Sequence, residues 1–306
     1  MAAKKLAMAS YAIAQVPVSR DLLGESPVWD WRSQTLYWAD QLGRKLRSYA
    51  PTSGEVREWT LPHELGCVAL TVDPAVLLVA QPDHYVRLHT GSGELSRFLS
   101  LAQPRPGVRL NDGRCDRYGC LIAGSVTTDG GPGAGRVWRI GPDASVEQIR
   151  DGMVIVNAIC CSPAGDRLYY ADSRGGVIYT RRYDATGNEL GEESVFADLR
   201  PYGGVPDGAT VDASGAVWIA QIMRGHILRL RSDGTLDLDI EMPAPHVSSL
   251  TFGGPNLDVL YVTSVRETGM LISSSHPLSG GLFAITGLGV RGVEEGVFGL
   301  DPRVTH

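Results

Sequence analysis

The chain has 306 residues, 43% hydrophobic and 20% charged, with 28 Lys and Arg against 34 Asp and Glu for a formal net charge of −6. That balance gives no basic excess for a nucleic-acid-binding face, and no apolar run is long enough to span a bilayer. The 37 glycines and 18 prolines are scattered without a period of three, which excludes collagen and reads as turns between many short strands.

Taken in chain order, Lys4 and Lys5 precede an apolar stretch that Ser10, Tyr11 and Gln15 interrupt. Residues 1–10 are therefore expected to be a disordered tail rather than a secretory leader. Tyr11 to Val18 alternates like a strand. From there a unit repeats: a polar or small residue, a strand, a turn, a strong apolar strand, a loop and a further strand. The first unit holds Ser26 to Asp30, Leu36 to Asp40 and Lys45 to Tyr49, closed by Thr52-Ser53-Gly54-Glu55. The second runs through Cys67 to Leu70, Val76 to Ala80 and Val86 to His89, closed by Gly91-Ser92-Gly93-Glu94. Later units open near Arg109, Ile155, Val205 and His246. The strong strands begin near positions 37, 77, 121, 168, 217 and 260, which gives spacings of 40, 44, 47, 49 and 43. Repeats of that length with several strands each predict an all-β, six-bladed β-propeller with four-stranded blades, one domain over 1–306. The strand at Tyr11 to Val18 would complete the last blade and close the ring. An open β-sandwich would explain the strands but not the near-equal spacings.

In a propeller the strand before each strong strand is innermost and lines the central channel. Glu25, Asn111, Asn157 and Asp207 open those inner strands, so their oxygens converge at the channel mouth. Gly66 or Cys67 in the second unit and Val247 or Ser248 in the sixth offer no obvious ligand. Carboxylate and amide oxygens suit Ca²⁺, Mg²⁺ or Mn²⁺ and also hold Zn²⁺ or Fe²⁺. Each residue has a plainer reading. Asn111-Asp112-Gly113 and Pro206-Asp207-Gly208 taken alone are turn formers. Asn157, inside Val154-Ile155-Val156-Asn157-Ala158-Ile159, could be a structural hydrogen-bonder. Glu25 could be a surface acid. Their joint placement favours a metal at the central channel.

The same segments resemble the gluconolactonase/regucalcin (senescence marker protein) family. Leu23-Gly24-Glu25-Ser26-Pro27-Val28-Trp29 is similar to its opening motif, and Arg109-Leu110-Asn111-Asp112-Gly113 to its Arg-x-Asn-Asp-Gly segment. Asn157 with Cys161-Ser162-Pro163-Ala164-Gly165 resembles its Asn-Gly and Ser-Pro-Asp-Gly turn. Pro206-Asp207-Gly208-Ala209-Thr210-Val211-Asp212 resembles Pro-Asp-Gly-x-x-Val-Asp, and the run from Phe252-Gly253-Gly254 to Val262-Thr263-Ser264 its last-blade signature. The resemblance implies a metal held by Glu25, Asn157 and Asp207, substrate contacts from Arg109 and Asn111, and hydrolysis of sugar (aldono) lactones with Asp207 assisting water. Ala158 departs from the family's usual Gly. The family's Trp-x-Gly-Thr-Met strand is Leu121-Ile122-Ala123-Gly124-Ser125-Val126 here. Asp129, in the Gly-rich loop 127–135, is the candidate for an acidic substrate contact; that loop could be a lid.

Two other functions remain open: a metal-dependent phosphotriester or ester hydrolase on the same propeller, and a non-enzymatic calcium-binding propeller. Gly287-Leu288-Gly289-Val290-Arg291-Gly292 fits GxGxxG, but no helical pattern follows, so no dinucleotide site is expected. Neither HExxH nor GxSxG occurs. His246 opens the sixth unit and reads equally as structural or as a substrate contact. Five cysteines without a CxxC suggest reduced thiols and a cytoplasmic protein. The expected partner is a small sugar lactone, with no nucleic acid or membrane, and the expected state a monomer or weak dimer.

Overall fold

The computed structural model describes residues 11–183 and 189–299, so the tail expected at 1–10 lies outside the described residues. The fold is an all-β propeller of six antiparallel four-stranded sheets. The first strand, β1 (Ala12–Gln15), is set aside for the last blade. Blade one is β2 (Gly24–Asp30), β3 (Thr35–Asp40), β4 (Lys45–Ala50) and β5 (Glu55–Thr60). Blade two is β6 (Val68–Leu70), β7 (Val76–Gln81), β8 (His84–His89) and β9 (Leu95–Ser100). Blade three is β10 (Val108–Cys115), β11 (Leu121–Thr127), β12 (Gly135–Ile140) and β13 (Val146–Met153). Blade four is β14 (Val156–Cys161), β15 (Arg167–Asp172), β16 (Val177–Arg182) and β17 (Ser194–Asp198). Blade five is β18 (Pro206–Val211), β19 (Val217–Gln221), β20 (His226–Leu230) and β21 (Leu236–Glu241). Blade six is β22 (Val247–Gly253), β23 (Val259–Ser264) and β24 (Phe283–Thr286), completed by β1. β1 pairs antiparallel with β24, Ala12 opposite Thr286 and Gln15 opposite Phe283, so the two ends of the chain close the ring as expected.

The second strand of each blade is apolar through most of its length because neighbouring blades cover both of its faces. In β3, Leu36 and Trp38 pack with Trp29 and Tyr261 of blade six's side. Tyr37 and Ala39, pointing the other way, pack with Val68, Leu77 and Val79 of blade two. Trp38, Tyr169, Tyr170 and Trp218 are all buried in such inter-blade layers. Fully burying one such side chain stabilises the fold by about 2 kcal/mol, and truncating a buried Leu such as Leu36 to Ala would cost about 2–5 kcal/mol. The fourth strands, by contrast, are the outer edges; β5 is largely exposed and carries Glu55, Arg57 and Glu58, charges that discourage edge pairing.

The inner strands β2, β6, β10, β14, β18 and β22 run side by side around the axis. In β2, β10, β14, β18 and β22 the ladder slips by one residue near the upper end: between Glu25 and Val28, Leu110 and Gly113, Asn157 and Cys160, Pro206 and Ala209, and Val247 and Leu250. These are β-bulges, which re-aim side chains and free them from strict alternation. Asn111-Asp112-Gly113 and Pro206-Asp207-Gly208 thus lie inside strands at bulges, not in the turns their composition suggests when each is read alone.

The lower end of the channel is crossed by the chain after β24. Gly292 bridges Asp212 of blade five, and Phe298 bridges Thr71 of blade two, on the opposite side of the ring. Between them Glu295 pairs with Arg114 and accepts a hydrogen bond from Thr251 Oγ1 at 3.0 Å. Arg114 belongs to blade three, yet its Nη2 reaches the Leu250 carbonyl of blade six at 3.4 Å, so the side chain lies across the axis. Among the described residues no helix is long and apolar enough to cross a membrane.

Candidate active site

Glu25, Asn157 and Asp207 occupy the second positions of β2, β14 and β18 and meet at the upper mouth, all less than a tenth exposed. Asn157 Nδ2 donates to Asp207 Oδ1 at 2.6 Å and to Ser173 Oγ at 2.9 Å. Ser173 Oγ donates in turn to the Pro206 carbonyl at 2.6 Å, fixing the start of β18. Asn111 Nδ2 donates to Asn157 Oδ1 at 2.8 Å and to the Val156 carbonyl at 3.2 Å. The three blades are thereby linked by side-chain amides, and the expected convergence of Asn111, Asn157 and Asp207 is observed. Glu25 Oε2 accepts the Ser26 N–H at 3.0 Å.

Electrostatically the mouth is governed by three buried carboxyls, Glu25, Asp112 and Asp207. Burial pushes the Glu25 carboxyl well above the usual carboxylate range; Asp112 adds to the shift, and the Ser26 N–H and Arg109 oppose it. Burial likewise drives Asp207 far upward, reinforced by Glu25 and Asp112. Two buried carboxylates facing one another favour either a shared proton or a bound cation. Asp112 stands behind them; its Oδ2 accepts the Ile159 N–H at 3.0 Å and its Oδ1 the Gly113 N–H at 2.8 Å, tying blade three to blade four.

Arg109 lies two residues before Asn111 on β10. Its Nη1 donates to the Leu110 carbonyl at 3.0 Å, its Nη2 to Gln41 Oε1 at 3.4 Å, and its Nε faces Glu64 Oε2 at 3.7 Å. Gln41 is itself buried, with Nε2 donating to the Gly66 carbonyl at 3.3 Å. Asp129 is placed differently. It sits on the Gly-rich loop, exposed, clasped by Arg105 and accepting the Gly131 N–H at 3.0 Å. Arg105 also donates to the Pro132 carbonyl at 3.2 Å, and the Thr128 N–H bonds the Gly107 carbonyl at 2.7 Å, so loop 127–135 is tied to the segment before β10. His246 lies just ahead of β22, its Nδ1 3.0 Å from the Ile222 carbonyl.

Three side chains at the mouth carry no motif in the sequence: Gln41, Glu64 and Ser173. The only signal that could have found Gln41 and Ser173 is their shared position, directly after the strong strands at Asp40 and Asp172. Glu64 lies on the loop feeding blade two, one of the two blades that lack an inner-strand ligand.

No group of three or more His, Cys, Asp and Glu side chains able to hold a metal occurs among the described residues. Glu25, Asn157 and Asp207 offer two carboxylates and an amide, a set of hard oxygen donors suited to a divalent cation. When both carboxyls are deprotonated, their buried negative charge, opposed at Glu25 by Arg109, is what such a cation would balance.

Residues 23–266 match the family described as SMP-30/Gluconolactonase/LRE-like region. The chain is 33% identical to 6-deoxy-6-sulfogluconolactonase of Pseudomonas putida, over 90% of this chain and 95% of that protein. It is 33% identical to L-arabinolactonase of Azospirillum brasilense, over 81% of this chain and 82% of that one. Among solved structures, regucalcin of Agrobacterium tumefaciens strain C58, described as a calcium-binding protein, superimposes with a TM-score of 0.87 at 29% identity, covering 95% of this chain and 98% of that one.

Proposed function

The chain belongs to the SMP-30/gluconolactonase/regucalcin family of six-bladed β-propeller lactonases, and from that premise we propose that it hydrolyses aldonolactones to aldonic acids with a divalent metal at the channel mouth and Asp207 assisting the attack of water. Family membership makes it a hydrolase of cyclic esters. The observation that carries the metal-dependent reading is the pair of buried carboxyls, Glu25 and Asp207, both pushed upward by burial, with Glu25 adding to the shift at Asp207.

Glu25, Asn157 and Asp207 would hold the cation through oxygen. The chemistry supplied there, when a divalent ion is bound, is Lewis-acid polarisation of the lactone carbonyl. Asp207 Oδ1 accepts from Asn157 Nδ2 and keeps a second lone pair for the cation, so Oδ2 would take a proton from water as it attacks. The same oxygen then returns that proton to the ring oxygen as its bond to the carbonyl carbon breaks, making it a hydroxyl of the aldonic acid. Asn111 spends its Nδ2 on Asn157 and Val156, so its Oδ1 remains to accept a sugar hydroxyl. Arg109 supplies donors to the substrate from a guanidinium whose plane Leu110 and Gln41 fix.

The test is lactone hydrolysis by chelator-stripped protein across five- and six-membered aldonolactones, before and after adding Ca²⁺, Mg²⁺, Mn²⁺, Zn²⁺ or Fe²⁺, with protein-free controls for each metal. Activity restored by metal and lost in Asp207→Ala supports the proposal. Stoichiometric metal binding without turnover of any lactone would instead favour a calcium-holding propeller or a hydrolase of other esters.

A further inference from the structure

Blade two supplies no ligand from its inner strand: Cys67 is buried against Gly113, and β6 begins at Val68. Its contribution to the mouth comes from the preceding loop. Leu61 and Leu65 of that loop are buried, the Leu65 N–H bonds the Gln41 carbonyl at 3.1 Å, and the Gly66 N–H bonds the Ala80 carbonyl at 2.9 Å. Gly66 lies so close to blade three that a Cβ there would stand 2.9 Å from the Asn111 carbonyl oxygen. Glu64 is therefore held on a fixed stretch beside Arg109 and Asn111, with its side chain 46% exposed.

Arg109 has five N–H donors, and three of them face Leu110, Gln41 and Glu64. One N–H on each terminal nitrogen is left. At 3.7 Å from Nε the Glu64 carboxylate is an electrostatic neighbour rather than a tight hydrogen-bond partner, so its lone pairs stay available. A donor and an acceptor side by side at a mouth match two hydroxyl groups on adjacent carbons. One hydroxyl oxygen accepts from Arg109, and the other hydroxyl donates to Glu64. The same carboxylate repels an anionic substituent.

We propose that Glu64 is a specificity-determining residue: with Arg109 it reads a vicinal hydroxyl pair on the substrate's tail and selects neutral polyhydroxy lactones over those with an anionic terminal group. This inference rests on the lactonase reading above.

The experiment compares kcat/KM for glucono-1,5-lactone and its 6-deoxy-6-sulfo counterpart in metal-replete wild type, Glu64→Gln and Glu64→Lys. Circular dichroism and thermal midpoints serve as folding controls. Wild type is expected to favour the neutral lactone. Glu64→Gln should lose about tenfold in efficiency on it, through KM with kcat little changed, and should narrow the ratio between the two substrates. Glu64→Lys should move the ratio further toward the sulfonated lactone. Calorimetric binding of glucono-1,5-lactam, a neutral ring that does not hydrolyse, should weaken in parallel. A residue that only steadies Arg109 would lower both efficiencies equally, so an unchanged ratio in both variants overturns the assignment, as would a wild type that prefers the sulfonated lactone or equal lactam affinity in wild type and Glu64→Gln. A wild type that neither turns over a lactone nor binds the lactam removes the lactonase reading and this inference together, whereas active wild type with unchanged ratios removes only Glu64.

Discussion

Asn157 Nδ2 and Asp207 Oδ1 are 2.6 Å apart, joined across the gap between the inner strands of blades four and five. The bond holds one carboxylate oxygen and leaves the other outside it. Asp207→Ala is expected to lower kcat/KM for the preferred lactone by at least about a hundredfold, the usual scale for losing a positioned general base. The thermal midpoint of metal-replete protein should fall as well, because one of the three proposed cation ligands is gone. Steady-state kinetics with metal bound, alongside thermal denaturation, check this; retention of full activity would exclude Asp207 from proton transfer.

Glu25 and Asp207 make metal binding and stability depend on pH. Both carboxyls are raised, so the folded metal-free protein keeps protons that the unfolded chain releases above the ordinary carboxylate range of about 4. Stability of metal-free protein should therefore fall as pH rises from roughly 5 to 8. A cation needs both groups deprotonated, so its apparent affinity should climb over the same interval and binding should release protons. Calorimetric titration in buffers of different ionisation enthalpy measures that release. A pH-independent Kd with no proton release would mean that these carboxyls are not the ligands.

Ala158 follows Asn157 with φ at +56°, a left-handed conformation that disfavours any side chain with a Cβ. Ala158→Gly relieves about 1 kcal/mol of strain, but the freer unfolded chain offsets most of it, so the net change should stay within about 0.5 kcal/mol. Ala158→Val places a β-branched side chain in the same conformation and should destabilise by more than about 1 kcal/mol. Because Asn157 adjoins the strained residue, the valine variant should also lose activity. Chemical denaturation and kinetics on both variants provide the check.

Gly208 shows why a residue without a side chain must follow Asp207. A Cβ there would fall 2.0 Å from Ser249 Oγ and 2.8 Å from Ser249 Cα, atoms of the neighbouring inner strand. Gly208→Ala should push blades five and six apart locally, displace Asp207 and cut activity at least tenfold. Adding Ser249→Gly removes the hydroxyl and Cβ and should recover part of the loss. A double-mutant cycle tests the coupling, and additive effects would show that the clash does not act through Ser249.

The blades were legible in the sequence because a strand covered on both faces must be apolar throughout, and Leu168-Tyr169-Tyr170-Ala171 and its counterparts announce themselves at regular intervals. Closure by the N-terminal strand was legible for a different reason: Tyr11 to Val18 alternates and the last blade needs a fourth strand. The oxygens at the mouth were visible through their equivalent positions. Hidden from view were groups whose role depends on loop path and on neighbouring blades. Asp112 looks like a turn residue until its carboxylate is seen holding the Ile159 N–H of the next blade. Gln41 and Glu64 acquire meaning only from Arg109, 68 and 45 positions further along the chain. Asp129 looked like an acid free for substrate, yet its partner Arg105 comes from a segment with no recognisable pattern.

The segment from Gly292 to Phe298, strung from blade five to blade two beneath Arg114, gives the channel a floor. A tube open at both ends could admit a lactone above and discharge its acid below. On the reading proposed above one doorway would serve both directions, and the carboxylate product would back out past the same Glu64 and Arg109 proposed to meet the incoming ring. Traffic through a single door makes substrate and product mutually exclusive, and the newly formed anion leaves against a mouth that draws it through Arg109 and repels it through Glu64.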